Sequence, residues 1–338
     1  MTADQSQLEH EQAPTKRRPR IVPPQGFEFQ HGKPDGLAPH LAPLEDPRWV
    51  PADEATHMLD DDPVLVVALS ERSYVLPWWV MKNHHVANLI LEDSPVTVTL
   101  CERCSSGAAF EGTVDSETRT FQVVGIFKGT HALADHETES LWTSFSGECI
   151  WGFHHGYRLR QLPLLQTRWR DCLELQPPTV VVDGAGESRE GHGSGRFPGS
   201  DEPPLGYGRP MDLDARLPPN ALVLGVDIDG AARAYRLDAV LEAGGVVNDT
   251  LGGTEIVVLG GPSSYTGIAF ARRVGERLLR FERRNGGVAD AETGSTWDVT
   301  GVGLSGPLQG HRLTFVTSYV EEWYSWAAYH PHTELALA

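Results

Sequence analysis

The sequence predicts a mainly β protein of α+β type with short helices, organised as two tandem, duplicated β-rich domains of barrel or sandwich type. Three observations support this fold class. Apolar residues alternate with a period of two through much of the chain, which is typical of strands. Helical periodicity is confined to three short segments. The second half of the chain also repeats a residue pattern of the first half, and a repeat of this length indicates a duplicated domain.

The repeat is recognised by residues that recur at a nearly constant offset. The offset is 160 in the first block and falls to 155 and then 154, as expected where a loop is shorter in the second copy. An offset that is constant over long blocks is hard to produce by chance, so we interpret the two segments as copies. The matched pairs include Asn88/Asn248, Gly107/Gly267, Phe110/Phe270, Thr138/Thr293, Ser140/Ser295, Trp142/Trp297, Gly152/Gly306, Gly156/Gly310, Leu159/Leu313, Trp169/Trp323 and Thr179/Thr333.

Strands and helices are predicted in corresponding places of the two copies. Runs of β-branched and other apolar residues bounded by Gly and Pro predict the strands, and pairs of glycines predict turns between them. Short apolar stretches with helical spacing predict the helices. The predicted strands include 63–69, 96–100, 221–228 and 256–259, and the predicted helices lie near 78–82, 239–242 and 319–329.

Composition divides the chain into four segments. Residues 1–40 are polar and lack periodicity, which predicts a flexible leader. Residues 41–182 form the first repeat, which carries the candidate metal site, and residues 210–338 form the second, degenerate repeat. Between them, residues 183–209 are rich in Gly, Pro and Ser and are predicted to be a linker. Each repeat is long enough that we expect it to bury a core of its own.

The formal net charge of −18 restricts the partners. Nucleic acids and anionic membrane surfaces both require clustered Lys and Arg, so neither is expected to bind. The one basic run, 16–20, lies in a polar leader without the apolar core of a secretory signal, and no apolar stretch approaches the roughly 18–20 residues that span a bilayer. We predict a soluble, cytoplasmic protein that binds a small-molecule substrate and for which a homodimer is one option.

A Cys-x-x-Cys motif directly follows the predicted strand 96–100. Cys101 and Cys104 lie in a turn of small and polar residues, which lets two thiolates converge on one ion. In the cytoplasm, cysteines serve more often as thiols or metal ligands than as structural disulfides. His84 is the best-placed third ligand, because a hairpin-like return of the chain would bring it beside the sulfurs. The second copy has Gly244, Gly261 and Ser264 at the three positions.

The predicted metal site therefore consists of His84, Cys101 and Cys104, with Cys149, His136 and His85 as additional candidates. If one of these completes a tetrahedron, the site is closed and structural; with three protein ligands, a position stays open for water, dioxygen or substrate. Thiolate and imidazole ligands suit copper, zinc and iron but not magnesium or calcium. We favour copper as the ion.

Other polar residues are interpreted as structural. His85, His131, His154 and His155 are expected to be solvated or hydrogen-bonded histidines. Asn88, which recurs as Asn248, is expected to bond the backbone or a turn. Further expectations are an exposed ion pair at Glu102 and Arg103, a small core residue at Cys172, turn caps at the matched Thr and Ser residues, and core positions for Trp142 and Trp297.

Four motifs follow one another in the first copy: His84-x-x-x-Asn88, Cys101-x-x-Cys104-x-x-Gly107-Ala108-x-Phe110, Asp135-x-x-Thr138-Glu139-Ser140-x-Trp142 and Gly152-x-x-x-Gly156. In this order and spacing they resemble the family of proteins that carry the domain of unknown function DUF3179. The resemblance covers most of both copies and implies a related fold, with His84 and the two cysteines as the family's histidine and paired cysteines. The chain departs from the family where Glu102-Arg103 replace a typical Pro-Leu, His136 a usual Arg and Leu89 a usual Asp.

These observations lead us to expect a metal-dependent oxidoreductase that acts on a small molecule, with the second copy as a lid, a dimer surface or a wall of the cleft. A hydrolase is less favoured because no Gly-x-Ser-x-Gly or His-Glu-x-x-His motif occurs. Two alternatives remain. One is a non-catalytic metal-binding or sensor protein with a closed zinc or copper site that includes Cys149, and the other is a thiol–disulfide oxidoreductase that uses Cys101 and Cys104.

Overall fold

The computed structural model describes residues 23–29, 41–70, 72–173, 179–189 and 213–336. Strands joined by tight turns dominate this part of the chain, and the helices in it are few and short. The predicted mainly β class with short helices is therefore confirmed. Most of the predicted leader and residues 190–209 of the predicted linker lie outside the described residues.

The first half of the chain is built from strands with two short helices and one 3-10 turn. The strands are β1 (Phe27–Phe29), β2 (Leu44–Glu45), β3 (Trp49–Pro51), β4 (Pro63–Ala68), β5 (Ser73–Pro77), β6 (Val86–Leu91), β7 (Ser94–Cys101), β8 (Ser106–Glu111), β9 (Thr113–Val114), β10 (Glu117–Thr118), β11 (Phe121–Phe127), β12 (Thr130–Asp135), β13 (Leu141–Thr143), β14 (Cys149–Trp151), β15 (Gln161–Leu162), β16 (Leu164–Arg168) and β17 (Thr179–Val182). The helices are α1 (Trp78–Met81) and α2 (Trp169–Cys172), and the 3-10 turn is Ala52–Glu54.

The second half continues with further strands and two more helices. The strands are β18 (Leu222–Ile228), β19 (Ala231–Arg236), β20 (Val246–Leu251), β21 (Thr254–Gly260), β22 (Gly267–Ala271), β23 (Arg273–Val274), β24 (Arg277–Leu278), β25 (Phe281–Arg284), β26 (Gly287–Asp290), β27 (Thr296–Trp297), β28 (Gly303–Ser305), β29 (Ser318–Glu322) and β30 (Glu334–Leu335). The helices are α3 (Leu237–Glu242) and α4 (Trp323–Tyr329).

The two halves have the same order of strands. The sheet order β16-β4-β5-β17 in the first half is matched by β29-β18-β19-β30 in the second, and β8-β7-β6 is matched by β22-β21-β20. A third sheet runs β11-β12-β13-β14 in one half and β25-β26-β27-β28 in the other. The first half extends its sheets with β1, β2, β3 and β15. The corresponding strands therefore follow one another in the same order as the residues that recur in the sequence.

Two predicted segments differ in the structure. Residues 319–329 were predicted as one helix, but Ser318–Glu322 form β29, which pairs antiparallel with β18, and the helix begins at Trp323. These five residues form a strand instead of a helix because β18 offers a backbone hydrogen-bonding partner to each of them. Within the predicted leader, Phe27–Phe29 form β1, which pairs with β11 and places the buried Phe27 opposite Phe127. That short apolar stretch is ordered by the sheet edge it covers.

Two of the hydrophobic clusters among the described residues are shared between the halves. One hydrophobic cluster combines Val66 and Trp169 of the first half with Val257 and Phe270 of the second. Another surrounds Trp326 of α4 and includes first-half residues such as Trp142 and Phe110. Each half also has an apolar cluster of its own: one holds Leu76 and Val98 of the first half, and another holds Leu224 and Val258 of the second. Burial of a large apolar side chain stabilises by about 1.5–3 kcal/mol, so these shared clusters contribute strongly to the association of the halves.

The residues that recur in both copies hold the scaffold. The Asn88 side chain donates to the Phe121 carbonyl and accepts from the Phe121 amide, both at 3.0 Å. Asn248 makes the same pair of bonds to Phe281, at 2.7 and 2.8 Å. This two-way bond joins β6 to β11, and β20 to β25, and it confirms the backbone-bonding role that the repeat predicted.

The recurring Thr, Ser and Trp positions also have matching contacts. The indole of Trp142 donates to Asp135 at 2.8 Å, and the hydroxyl of Thr138 donates to the same carboxylate. The indole of Trp297 donates to Asp290 at 3.0 Å. Both tryptophans are buried, so the predicted turn-capping and core-filling roles are confirmed. Across the described ranges, no helix combines the length and the apolar character needed to cross a lipid bilayer.

Candidate metal centre

The turn that follows β7 carries both sulfurs of the Cys-x-x-Cys motif. Cys101 and Cys104 are joined by a disulfide, and the Cys104 amide donates to the Cys101 carbonyl at 3.3 Å. β8 leaves the turn with Ser106 opposite Cys101. The hairpin thus brings the sulfurs together, as predicted, but as a bonded pair instead of two thiolates.

The second half of the chain covers this turn. Tyr324 at the start of α4 forms a small buried cluster with Cys101 and Cys104, which are 2% and 0% exposed. The amide of Glu322, the last residue of β29, donates to the Cys104 carbonyl at 2.9 Å, and the Ser105 hydroxyl donates to the Glu322 carboxylate at 3.0 Å. The disulfide is therefore enclosed between the two halves.

His84 has oxygen partners at both ring nitrogens. Its Nδ1 lies 2.7 Å from the Ala42 carbonyl oxygen, and its Nε2 lies 3.0 Å from the Glu187 carboxylate. A disulfide offers no thiolate to a metal ion. The structure therefore does not assemble the predicted ligand set of His84, Cys101 and Cys104.

Of the three additional candidates, Cys149 and His136 are not part of a ligand cluster among the described residues. The Cys149 thiol donates to the Trp151 carbonyl at 3.3 Å, and burial raises the pKa of this thiol to about 11. His136 is exposed at the end of β12. Cys172 is fully buried in the core, which confirms the prediction of a small core residue.

Three other side chains converge at the disulfide turn. His85 follows α1, Glu102 lies between the two cysteines, and His131 is the second residue of β12. Each offers one nitrogen or oxygen atom that could bind a metal, and these three atoms lie within 4.8 Å of one another. In the part of the chain that the structure describes, this is the one group of three His, Cys, Asp or Glu residues with that property.

The cluster is buried and in mutual contact. His85, Glu102 and His131 are 4%, 5% and 0% exposed. The Nε2 atom of His85 lies 3.3 Å from a carboxylate oxygen of Glu102, and the rings of His85 and His131 stack with their centroids 4.3 Å apart. Burial raises the pKa of the Glu102 carboxyl, because a carboxylate away from water is costly without a nearby cation.

His85 has an unusual backbone conformation. Its φ angle is 64°, in the left-handed region that side chains other than glycine rarely adopt. The corresponding residue of the second half is Gly245, with a φ of 76°. The carbonyls of His85 and Gly245 accept equivalent bonds, from Leu100 at 2.8 Å and from Gly260 at 2.9 Å. A histidine thus occupies a position for which glycine is the unstrained residue. It is one of eleven non-glycine residues with a positive φ in the described part of the chain.

Two imidazoles and one carboxylate form a ligand set for first-row divalent ions. Such ions bind nitrogen and oxygen at about 2.0–2.2 Å, so two ligand atoms on one ion are at most about 4.0–4.4 Å apart. The 4.8 Å limit of the cluster is close to this distance, and small side-chain rotations suffice to close the difference. The second half lacks the set, because Gly245 and Pro262 stand in place of His85 and Glu102.

The sequence predictions missed two members of this cluster. Glu102 was expected in an exposed ion pair and His131 as a solvated or hydrogen-bonded histidine, and both are buried. Their burial depends on the far half of the chain and on the β11–β12 hairpin, which sequence spacing does not bring to the motif. One signal was present for the third member, because His85 corresponds to a glycine at a helix end, where a left-handed residue is common.

Comparison with known proteins gives one match. The family model described as "Protein of unknown function (DUF3179)" matches residues 38–333 as a single span, which reaches from the first half into the second. No curated protein matches the chain, and no solved structure matches it.

Proposed function

Because the chain belongs to the DUF3179 family, whose description gives no function, we propose a function from its own side chains. The protein is a metal-dependent oxidoreductase whose ion binds His85, Glu102 and His131. The observation that supports this proposal is the convergence of these three buried side chains within 4.8 Å. The proposal keeps the reaction class that the sequence predicted and changes the ligands.

The change of ligands changes the expected ion. Copper was favoured for its affinity for sulfur, but the sulfurs of Cys101 and Cys104 are bonded to each other. Nitrogen and oxygen ligands suit Fe(II) and Zn(II), and two histidines with one carboxylate are the ligand set of non-haem iron oxygenases. Redox chemistry requires an ion with two accessible oxidation states, which excludes zinc. We therefore assign iron.

The burial of the cluster restricts the co-reactant. Side chains that are at most 5% exposed leave little room for a large substrate at the ion. A diatomic oxidant such as dioxygen fits this restriction. The second half would then act as a wall of the site, since Tyr324 and Glu322 cover the turn that carries Glu102.

The test is elemental analysis of protein purified without added metal, on the wild type and on matched variants. We expect stoichiometric iron in the wild type and its loss in His85→Asn, Glu102→Gln and His131→Asn. His84→Asn and Cys101→Ser serve as controls that should retain the ion. Circular dichroism and thermal unfolding identify any variant that has lost the fold.

Two outcomes would contradict the proposal. Loss of the ion in His84→Asn and Cys101→Ser, with retention in the other three variants, would establish the sulfur ligand set instead. Stoichiometric zinc bound at His85, Glu102 and His131 would exclude the redox role and favour a metal-binding or sensor protein with a closed site.

The disulfide favours a second candidate function, a thiol–disulfide oxidoreductase. In this reaction a thiolate of a dithiol substrate attacks one sulfur of the Cys101–Cys104 bond and forms a mixed disulfide. The second thiol of the substrate then attacks that bond, so that the substrate leaves as a disulfide and two electrons and two protons reside on the cysteines. Burial of both sulfurs argues for a small dithiol as the substrate.

Thiol counting separates this candidate from a structural disulfide. The chain has 4 cysteines, and Cys149 and Cys172 are free. Two thiols are therefore expected after denaturation of the oxidised protein, and all four if the folded protein is first treated with dihydrolipoamide. If the folded protein keeps its disulfide under this treatment while the unfolded protein loses it, the exchange function is excluded.

A further inference from the structure

A cavity of about 380 Å³ lies on the first half, and none of the candidate metal ligands lines it. Its walls come from the β2–β3 segment, the β6–β7 hairpin and the chain around β10. The volume is within the range of about 300–1,000 Å³ that is usual for small-molecule sites. Its lining includes Glu45, Asp46, Trp49, Leu89, Val96 and Arg119.

Arg119 is the cationic residue of this lining, and it is only 7% exposed. Its Nη2 donates to the Glu117 carboxylate at 2.8 Å, but Glu117 itself is 71% exposed. The Nε–H of Arg119 is buried and has no hydrogen-bond acceptor among the described residues. Burial makes the charge of the guanidinium costly, and an anionic ligand in the cavity would offset that cost.

The second half shows that the fold does not require a charge at this position. Leu279 corresponds to Arg119 at the offset of 160, and it is fully buried. The backbone contacts are the same in both halves: the Arg119 amide donates to the Gly112 carbonyl at 2.8 Å, and the Leu279 amide donates to the Arg272 carbonyl at 2.9 Å. Leucine satisfies the scaffold, so the guanidinium has another use.

The remaining walls define the rest of the ligand. Trp49, Leu89 and Val96 give the cavity an apolar side, whereas Glu45 and Asp46 are exposed carboxylates at its edge. One guanidinium opposed by two carboxylates disfavours a multiply charged anion such as phosphate. The lining thus has a cationic part, an apolar part and an anionic edge. A ligand that fits all three has a carboxylate near Arg119, an apolar body and an ammonium group near the edge.

We propose that this cavity binds a small zwitterion, an α-amino acid with an apolar side chain. The carboxylate of the ligand bonds to Arg119, its ammonium group faces Glu45 and Asp46, and its side chain packs against Trp49. Charge-assisted bonds between a guanidinium and a carboxylate are among the stronger hydrogen bonds in proteins. This site is independent of the metal centre and requires no ion.

Three probes with one apolar body and different charges test the proposal by isothermal titration calorimetry of the full chain. We expect phenylalanine to bind most tightly, 3-phenylpropanoate more weakly because it lacks the ammonium group, and 2-phenylethylamine not at all. If neither carboxylate binds, or if the amine binds as tightly as phenylalanine, the proposal is overturned.

Two variants are expected to change the affinity for phenylalanine in opposite directions. Arg119→Leu installs the residue that the second half carries, and it should weaken phenylalanine binding at least about tenfold without loss of cooperative unfolding. Glu117→Gln removes the competing carboxylate and should strengthen binding several-fold. Unchanged affinity in Arg119→Leu, or weaker binding in Glu117→Gln, would contradict the role of the guanidinium.

Discussion

His85 combines a ligand-type side chain with a left-handed backbone, and its counterpart Gly245 shows which residue the backbone alone would favour. The left-handed conformation costs a residue with a Cβ atom about 1–2 kcal/mol. A histidine at this position therefore makes the fold less stable than a glycine would. Such a residue is explained more readily by the chemistry of its ring than by packing.

Substitution of His85 by alanine and by glycine separates the backbone cost from the loss of the ring. Both variants remove the imidazole, but only glycine is unstrained at a φ of 64°. We expect His85→Gly to be more stable than His85→Ala by about 1 kcal/mol in chemical denaturation. At the neighbouring Val86, which lies in β6, the same pair should show the opposite order, because glycine weakens a strand. Equal stability of the two His85 variants would show that the left-handed backbone at this position costs no free energy.

Glu321, in β29, makes the free energy of unfolding depend on pH. It is fully buried, and burial raises its pKa from 4.5 to about 8. The folded protein therefore holds a proton that the unfolded chain releases near pH 4.5. The stability that this group supports is complete below pH 4.5 and is lost as the pH rises towards 8.

Glu321→Gln keeps the shape of the neutral acid and removes the titration. We expect its free energy of unfolding to exceed that of the wild type by an amount that grows between pH 5 and pH 8, to on the order of 4 kcal/mol. The measurement is urea denaturation across that range, with the exposed Glu276→Gln as control. A constant difference between variant and wild type would show that the carboxyl is not protonated in the fold.

At the scale of elements, the β7–β8 hairpin carries the disulfide and positions Glu102. The sequence separation of the two cysteines is 3, so the loop that the disulfide closes is very short. The unfolded-state constraint of such a loop contributes about 2 kcal/mol. Most of the stability of the hairpin must therefore come from strand pairing and burial.

Reduction of the disulfide should accordingly weaken the fold without abolishing it. We expect the wild type to lose about 2 kcal/mol of unfolding free energy when its denaturation is measured with a dithiol reductant. The double variant Cys101→Ala/Cys104→Ala should be insensitive to the reductant. Complete unfolding of the wild type on reduction would show that the turn is essential to the fold.

The elements themselves were well predicted wherever a strand follows its own apolar pattern. β4, β7, β18 and β21 lie where alternation and turn glycines placed strands. Prediction failed at Ser318–Glu322 because helical spacing of aromatic residues also suits a buried strand followed by a helix. The members of the candidate site were only partly predicted, because whether Glu102 and His131 are buried is decided by residues far away in the chain.

At the scale of the whole molecule, the two halves depend on each other. The cluster around Trp326 mixes residues of both, and so does the cluster around Phe270. Tyr324 and Glu322 of the second half complete the turn that holds the first half's sulfurs. The candidate metal centre therefore belongs to the complete chain, although its three ligands all lie in the first half.

Although each half has an apolar cluster of its own, we expect neither half to fold cooperatively without the other. We expect residues 41–189 and residues 213–338, produced separately, to bind the dye ANS and to lack a cooperative unfolding transition, because their shared clusters would be exposed to water. Mixing the two fragments should restore the transition, which serves as the control for damage during production. A cooperative transition in either isolated fragment would contradict the dependence.

The shared clusters also have a consequence for synthesis. A ribosome adds about 5–20 residues per second, so the second half of the chain takes roughly 10–30 s to follow the first. Through that interval the nascent first half has no Trp323 or Trp326 to cover Phe110 and Trp142. This apolar surface therefore stays exposed until the second half has been made, and exposed apolar surface of this kind favours aggregation during synthesis.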